Sequence, residues 1–239
     1  MSNFDVVADL YERRRPTYPD AAVDWLVERL QLERSSTVLD LGAGTGKLTR
    51  AFVPRVGHVI AVDPGERMLE QLRRAVAGTE VHVGAAEAIP LDDDSVDAVV
   101  CGQSFHWFRF DEARAEIRRV LRDGCGLGLI WNTRDQTDEL QRELTSLLSP
   151  FAPGGRARGS GRLVFVEREF ADIQQFEIPF EEELDADGFV ERIASTSFVA
   201  GASEADRARL FADLRDLVAV RGGSVAFRYL TEAYVTYEP

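Results

Sequence analysis

Between Thr37 and Gly46 the chain reads TVLDLGAGTG, a short apolar run that carries one acid and then breaks into three glycines within five residues. A strand ending this way, followed by a helical face of Leu48, Ala51 and Phe52, brings bare backbone and helix N-terminal N–H groups to the carboxyl edge of a sheet, where ligands dock. A pyrophosphate-binding turn spaces its glycines GxGxxG and needs the last for helix packing; this turn is GxGxG with Asp40 two residues ahead of it. A pyrophosphate binder has no use for that acid. An anionic Asp40 suits a ligand with an ammonium or another donor, and Gly44 permits close backbone approach to a ribose or an amino-acid moiety. Asp63 ends the next apolar run, 21 residues beyond Gly42, where a carboxylate can accept both hydroxyls of a ribose.

Around this turn the apolar pattern switches period repeatedly. Val23, Leu26, Val27 and Leu30 fall at helical spacing behind Asp20, the expected N-cap. After the turn, HVIAV predicts a strand and Met68, Leu69, Leu72 and Val76 a helix. EVHVG and VDAVVCG then predict strands, Ala113, Ile117, Val120 and Leu121 a helix, and GLGLIWN a strand. Such βα succession with near-continuous apolar strands implies a parallel sheet covered on both faces, a doubly wound α/β fold. Past Asn132 come a helix at 140–148, a Gly-, Pro- and Arg-rich loop (SPFAPGGRARGSGR), the strand-like QQFEIPFEEEL, helices at 189–194 and 204–220, and SVAFRYLTEAYVTYE, which alternates like a strand. These complete a mostly parallel seven-stranded sheet whose last strand is antiparallel. One domain is expected over 1–239, with a leading segment and first helix (1–35), a ligand-binding core (36–135) and C-terminal elements that finish the sheet and face the substrate (136–239).

With 239 residues, 45% of them hydrophobic, the chain can bury a full core without staples. A net charge of −13 disfavours nucleic acid or an anionic membrane surface as partner. Cys101 and Cys125 provide neither a disulfide framework nor metal-ligand spacing, and three scattered histidines do not make a metal site. His58 and His82 lie inside strand patterns and read as structural; Asp92, Asp93 and Asp94 read as a solvated turn. No apolar run is long enough to span a bilayer and the N-terminus lacks a signal-like pattern, so a cytoplasmic protein is expected.

VLDLGAGTG together with VIAVDP resembles the first two motifs of the class I S-adenosylmethionine-dependent methyltransferases, a Rossmann-like fold. GAAEAIPLDDDSVDAVVCGQSFHWF and VLRDGCGLGLIWN resemble the family's later motifs, so the likeness covers roughly residues 7–132. It implies S-adenosyl-L-methionine as cofactor, bound by Asp40, Gly42, Ala43, Gly44, Gly46, Asp63, Pro64 and Met68, with Ala86 offering a backbone contact, Glu87 beside the adenine, and Gln103 nearby. The leading YERRRPTYP, the FHWF stretch and Trp131 are similar to the trans-aconitate methyltransferase-like branch of small-molecule enzymes. By that resemblance the leading segment folds over the cofactor, Tyr11 and Tyr18 closing the pocket and Arg15 pairing with the donor's carboxylate.

Methyl transfer from a sulfonium is an in-line displacement at an activated carbon, in which alignment supplies much of the acceleration. A carboxylate acceptor needs no base, whereas a phenol or alcohol does. His106 is the candidate catalytic residue, able to hold the acceptor or take its proton, and the amide of Gln103 is a second candidate for that task. Phe105, His106, Trp107, Trp131 and Arg158 are the expected substrate-side residues, with Arg134, Arg156, Arg162 and Arg228 as further cations for an anionic acceptor. The expected partner is a small-molecule acceptor, plausibly a carboxylic acid. A macromolecular acceptor, or donor binding without catalysis, are the alternatives.

Overall fold

The computed structural model describes residues 16–152, 166, 169–170 and 172–239. In chain order the elements are α1 (Asp20–Arg29), β1 (Thr37–Leu41), α2 (Lys47–Phe52), β2 (His58–Asp63), α3 (Glu66–Ala75), β3 (Glu80–Val83), β4 (Val96–Gly102), a 3-10 turn (Phe105–Trp107), α4 (Phe110–Val120), β5 (Leu121–Arg134), α5 (Glu139–Leu148), β6 (Gln174–Asp185), α6 (Ala186–Ala194), α7 (Ser197–Ala200), α8 (Glu204–Ala219) and β7 (Ser224–Thr236). The strands form one sheet in the order β3-β2-β1-β4-β5-β7-β6. β1 pairs in parallel with β2 and β4, β2 with β3, and β4 with β5, while β7 is antiparallel. The strand order reverses between β1 and β4, which opens the carboxyl ends of those strands as a crevice for ligands.

Strand alternation explains why this sheet needs helices on both faces. Leu39 and Leu41 of β1 pack with Ile117, Val120 and Leu129 on one side; Val38 packs with Leu26, Phe52 and Val100 on the other. Each such fully buried aliphatic side chain stabilises the fold by about 1.5–3 kcal/mol relative to exposure. One expectation needs correction. Asp20 does not cap α1: Pro19 holds the N-cap position and no side chain caps it, because the Asp20 carboxylate is drawn to Arg55 Nη2 at 2.7 Å, beside Asp24 on Arg55 Nε at 2.6 Å. Helix α2 has only six residues.

The described residues form two compact units. One comprises 17–132, 166, 169–170, 172–178 and 231–239; the other comprises 16, 133–152 and 179–230. The second has its own core, in which Leu144, Leu148, Phe189, Leu214, Val218 and Phe227 are buried together. Within it Arg192 is buried, paired with Glu182 at 2.6 Å and lying 5.6 Å from the centre of the Tyr229 ring. No helix among the described residues is long and apolar enough to cross a membrane.

Candidate active site

Past Leu41 the chain turns back on itself. Gly42 and Ala43 both donate N–H to Val62 O (2.8 and 3.1 Å), and Gly46 donates to Ala43 O (2.9 Å). Gly42, Gly44 and Gly46 have φ of +71°, +56° and +85°, values that side chains other than hydrogen resist. The three glycines nevertheless serve different ends. A Cβ on Gly42 would lie 2.5 Å from Ser104 Cβ and one on Gly46 would lie 2.7 Å from Leu72 Cγ, whereas one on Gly44 would meet nothing within 4 Å. Packing dictates the outer two. Gly44 alone presents bare backbone to open space, and that is the cradle a ligand can lie on.

Asp63, at the end of β2, supplies the polar half of the cradle. Its Oδ2 accepts from Gly44 N at 2.9 Å and its Oδ1 from Gly65 N at 2.7 Å, so the carboxylate joins the two turns. Each carboxylate oxygen has a second acceptor site, a pattern that fits the vicinal hydroxyls of a ribose. Pro64 beside it is exposed; Met68 is buried and leans over Gly65, 3.4 Å from where a Cβ would stand.

Asp40 differs from its expected role as an anion displayed at the turn. Strand alternation sends its side chain beneath α2, where it is 1% exposed and accepts from Thr49 Oγ1 at 2.6 Å. Burial pushes its carboxyl up to about 7, against the Thr49 bond and with help from the Asp63 charge. At neutral pH it therefore keeps its proton far more readily than an ordinary aspartate. Asp40 Oδ1 and Thr45 Oγ1 are buried with no hydrogen-bond partner among the described residues, which leaves an acceptor and a hydroxyl at the turn unsatisfied.

The rest of the site is built from strand ends of the same unit. Ala86 is buried in the core, and Glu87 Oε1 accepts from Arg109 N at 2.7 Å, tying the loop after β3 to the start of α4. Gln103 has φ +61°, a left-handed backbone that costs about 1 kcal/mol or more outside glycine. Two bonds to β5 hold it there: its N–H on Ile130 O and its Nε2 on Asn132 O, both at 3.0 Å. One of the two amide protons is thus committed to structure. Ser104 Oγ donates to Leu41 O at 2.9 Å, fastening β4 to the glycine turn.

The aromatic stretch expected to wall the acceptor divides in two. Phe105 and Trp131 are core residues, 3% and 1% exposed; Phe105 packs with Phe108 and Phe110, and Trp131 meets Tyr234 edge to face. His106 and Trp107 are exposed, with ring centres 5.0 Å apart. The two halves are linked by Trp131 Nε1, which donates to His106 Nδ1 at 3.4 Å.

Tyr11, Arg15, Arg156, Arg158 and Arg162 lie outside the described residues. Tyr18 is described, and a Cβ on Gly102 would sit 2.7 Å from its hydroxyl oxygen, so the tyrosine crosses the end of β4. In the second unit Arg134 bonds Gln141 and Thr145, and Arg228 pairs with Asp138 and Glu181. Both are engaged locally. His58 and His82 converge on Glu80 at 2.9 and 2.6 Å, which agrees with a structural role. Sequence reasoning overlooked Thr49, Ser104, Asn132 and Thr231; the usable signals were a hydroxyl residue in the first turn of α2 and a polar residue closing an apolar strand.

Comparison with known proteins gives the same reading. Residues 39–128 match the profile of a methyltransferase domain family. An "uncharacterized methyltransferase" of Mycobacterium tuberculosis is 39% identical over 236 residues, covering 98% of this chain and 93% of the relative. An "uncharacterized methyltransferase-like" protein of Schizosaccharomyces pombe is 36% identical, covering 88% and 83%. The structure of a protein described as a type II methyltransferase, from Anaeromyxobacter dehalogenans, superposes with a TM-score of 0.74 at 26% identity, covering 94% of this chain and 99% of that one. With its glycine cradle, its Asp63 carboxylate and a Rossmann-like seven-stranded sheet, the chain belongs to the class I S-adenosylmethionine-dependent methyltransferases.

Proposed function

We propose that this methyltransferase places the methyl group on an oxygen of a small organic acid, a carboxylate already ionised at neutral pH. The hydrogen bond from Trp131 Nε1 to His106 Nδ1 carries the proposal. An indole N–H can only donate, so Nδ1 of the neutral imidazole is the acceptor and the ring proton belongs on Nε2. His106 held in that tautomer brings an N–H donor, rather than a base, to the carboxyl end of β4. A donor can orient a carboxylate, whereas a phenol or alcohol acceptor would call for a base at that place.

The bound sulfonium supplies an activated methyl carbon; the contribution of these residues is to align the acceptor with it. Two likenesses support the acceptor class. The leading segment and FHWF stretch resemble the trans-aconitate methyltransferase-like branch, and a malonyl-[acyl-carrier protein] O-methyltransferase of Methylococcus capsulatus is 42% identical over 93 residues, 36% of this chain and 34% of the relative.

Incubating the enzyme with isotope-labelled donor and a panel of carboxylic acids and phenols tests this by mass spectrometry. Methyl esters are expected. His106→Ala should lower turnover about tenfold while leaving S-adenosylhomocysteine affinity unchanged, and His106→Gln, which keeps an N–H donor, should recover most of the loss. Methylation confined to phenols, with a rate that rises through the imidazole range and vanishes in both variants, would make His106 a base and overturn the carboxylate proposal.

A further inference from the structure

We propose that Asn132 is a positioning residue that fixes Thr17, and with it Tyr18, across the cofactor end of the sheet. It stands two residues before the end of β5 and is 9% exposed. Its side-chain amide is used at both ends: Nδ2 donates to Thr17 O at 3.1 Å, and Oδ1 accepts from Thr231 Oγ1 of β7 at 2.8 Å. Its main-chain carbonyl accepts from Gln103 Nε2 at 3.0 Å. One residue therefore joins Thr17 ahead of α1, Gln103 just past β4 and Thr231 of β7, three residues of the same compact unit.

Asparagine suits this place for a definite reason. The Thr17 carbonyl can only accept, so a donor must face it; the Thr231 hydroxyl can adapt to either neighbour, and the amide orientation follows from Thr17. Aspartate would set a carboxylate against that carbonyl, and an aliphatic residue would leave Thr231, 0% exposed, without its partner. Tyr18 follows Thr17 directly, and its hydroxyl stands over Gly102, two residues beyond Val100, which pairs with Asp40 in β1. Anchoring Thr17 thus sets where the tyrosine meets the donor-binding end of β1 and β4. The inference uses the cofactor and fold alone and does not depend on which acceptor is methylated.

The carbon-13 shift of the Thr17 carbonyl and S-adenosylhomocysteine titration of the full chain test it. In the wild type that carbonyl carbon should resonate downfield of its random-coil position before any ligand is added, as a hydrogen-bonded carbonyl does. Asn132→Asp should abolish that displacement and weaken S-adenosylhomocysteine binding about tenfold or more, while Thr231→Val, which lowers stability but leaves Nδ2 on Thr17, should preserve it and change affinity less than about threefold. Tyr18→Phe added to Asn132→Asp should cost little further affinity, since the anchor is already lost. A random-coil Thr17 carbonyl shift in the ligand-free wild type would overturn the proposal, even if Asn132→Asp fails to fold. So would equal losses of affinity in the Asn132 and Thr231 variants, the mark of a merely structural residue.

Discussion

Asp63→Ala is expected to weaken S-adenosylhomocysteine binding about a hundredfold or more and, without ligand, to lower the unfolding free energy by about 3 kcal/mol. The two losses have separate origins. Free of ligand, the carboxylate accepts from Gly44 N and Gly65 N, two charge-assisted bonds of about 1.5–3 kcal/mol each before allowance for partial solvent access. With ligand, the same oxygens are expected also to receive the ribose hydroxyls. Asp63→Asn should recover about half of the stability at best, because its amide nitrogen would face one of the two N–H groups. Calorimetric titration and urea denaturation separate the effects. Lost affinity at full stability would make Asp63 a ligand contact only; lost stability at full affinity would make it scaffold only.

Asp40→Asn is expected to act in the opposite direction, raising the stability of the free protein above pH 7 by up to about 4 kcal/mol. The Asp40 carboxyl stands at about 7 in the folded chain, against an ordinary value of 3.8, chiefly because it is buried. Between those values the folded state holds a proton that the unfolded chain has released. This group's favourable contribution is therefore whole below about pH 4, declines as pH rises toward 7, and is lost above it. Asparagine keeps an acceptor for Thr49 Oγ1 and carries no charge to desolvate. Denaturation of both proteins from pH 5 to 8.5 should show their difference widening in favour of the variant as pH rises. A flat difference, or a less stable variant at pH 8, would mean that Asp40 is ionised and well solvated.

Much of this architecture is legible in the sequence because burial on both faces writes itself as unbroken apolar runs. HVIAV and VDAVVCG announce strands, and Met68, Leu69 and Leu72 a helix, with no knowledge of their neighbours. The glycine turn is equally legible, since three glycines in five residues have few other uses. What the sequence cannot express is which way a polar side chain turns at the end of a run. Asp40 looks like a displayed anion until the pleat places it beneath α2. Asp20 looks like a cap until Arg55, far along the chain, claims its carboxylate. Trp131 and Phe105 read as pocket walls because aromatics serve equally well in cores; only the packing assigns them to the interior and leaves His106 and Trp107 outside. Asn132 has no local signature beyond being polar where an apolar strand stops, and its partners Thr17, Gln103 and Thr231 come from three distant parts of the chain.

The most direct measurement is a crystal structure of the full chain with S-adenosylhomocysteine. The ribose hydroxyls should lie about 2.5–3 Å from the Asp63 carboxylate oxygens, with the ligand resting on the open face of Gly44. A ligand bound elsewhere, with no ligand atom on Asp63 and nothing resting on Gly44, would contradict the assignment of this cradle as the donor's seat.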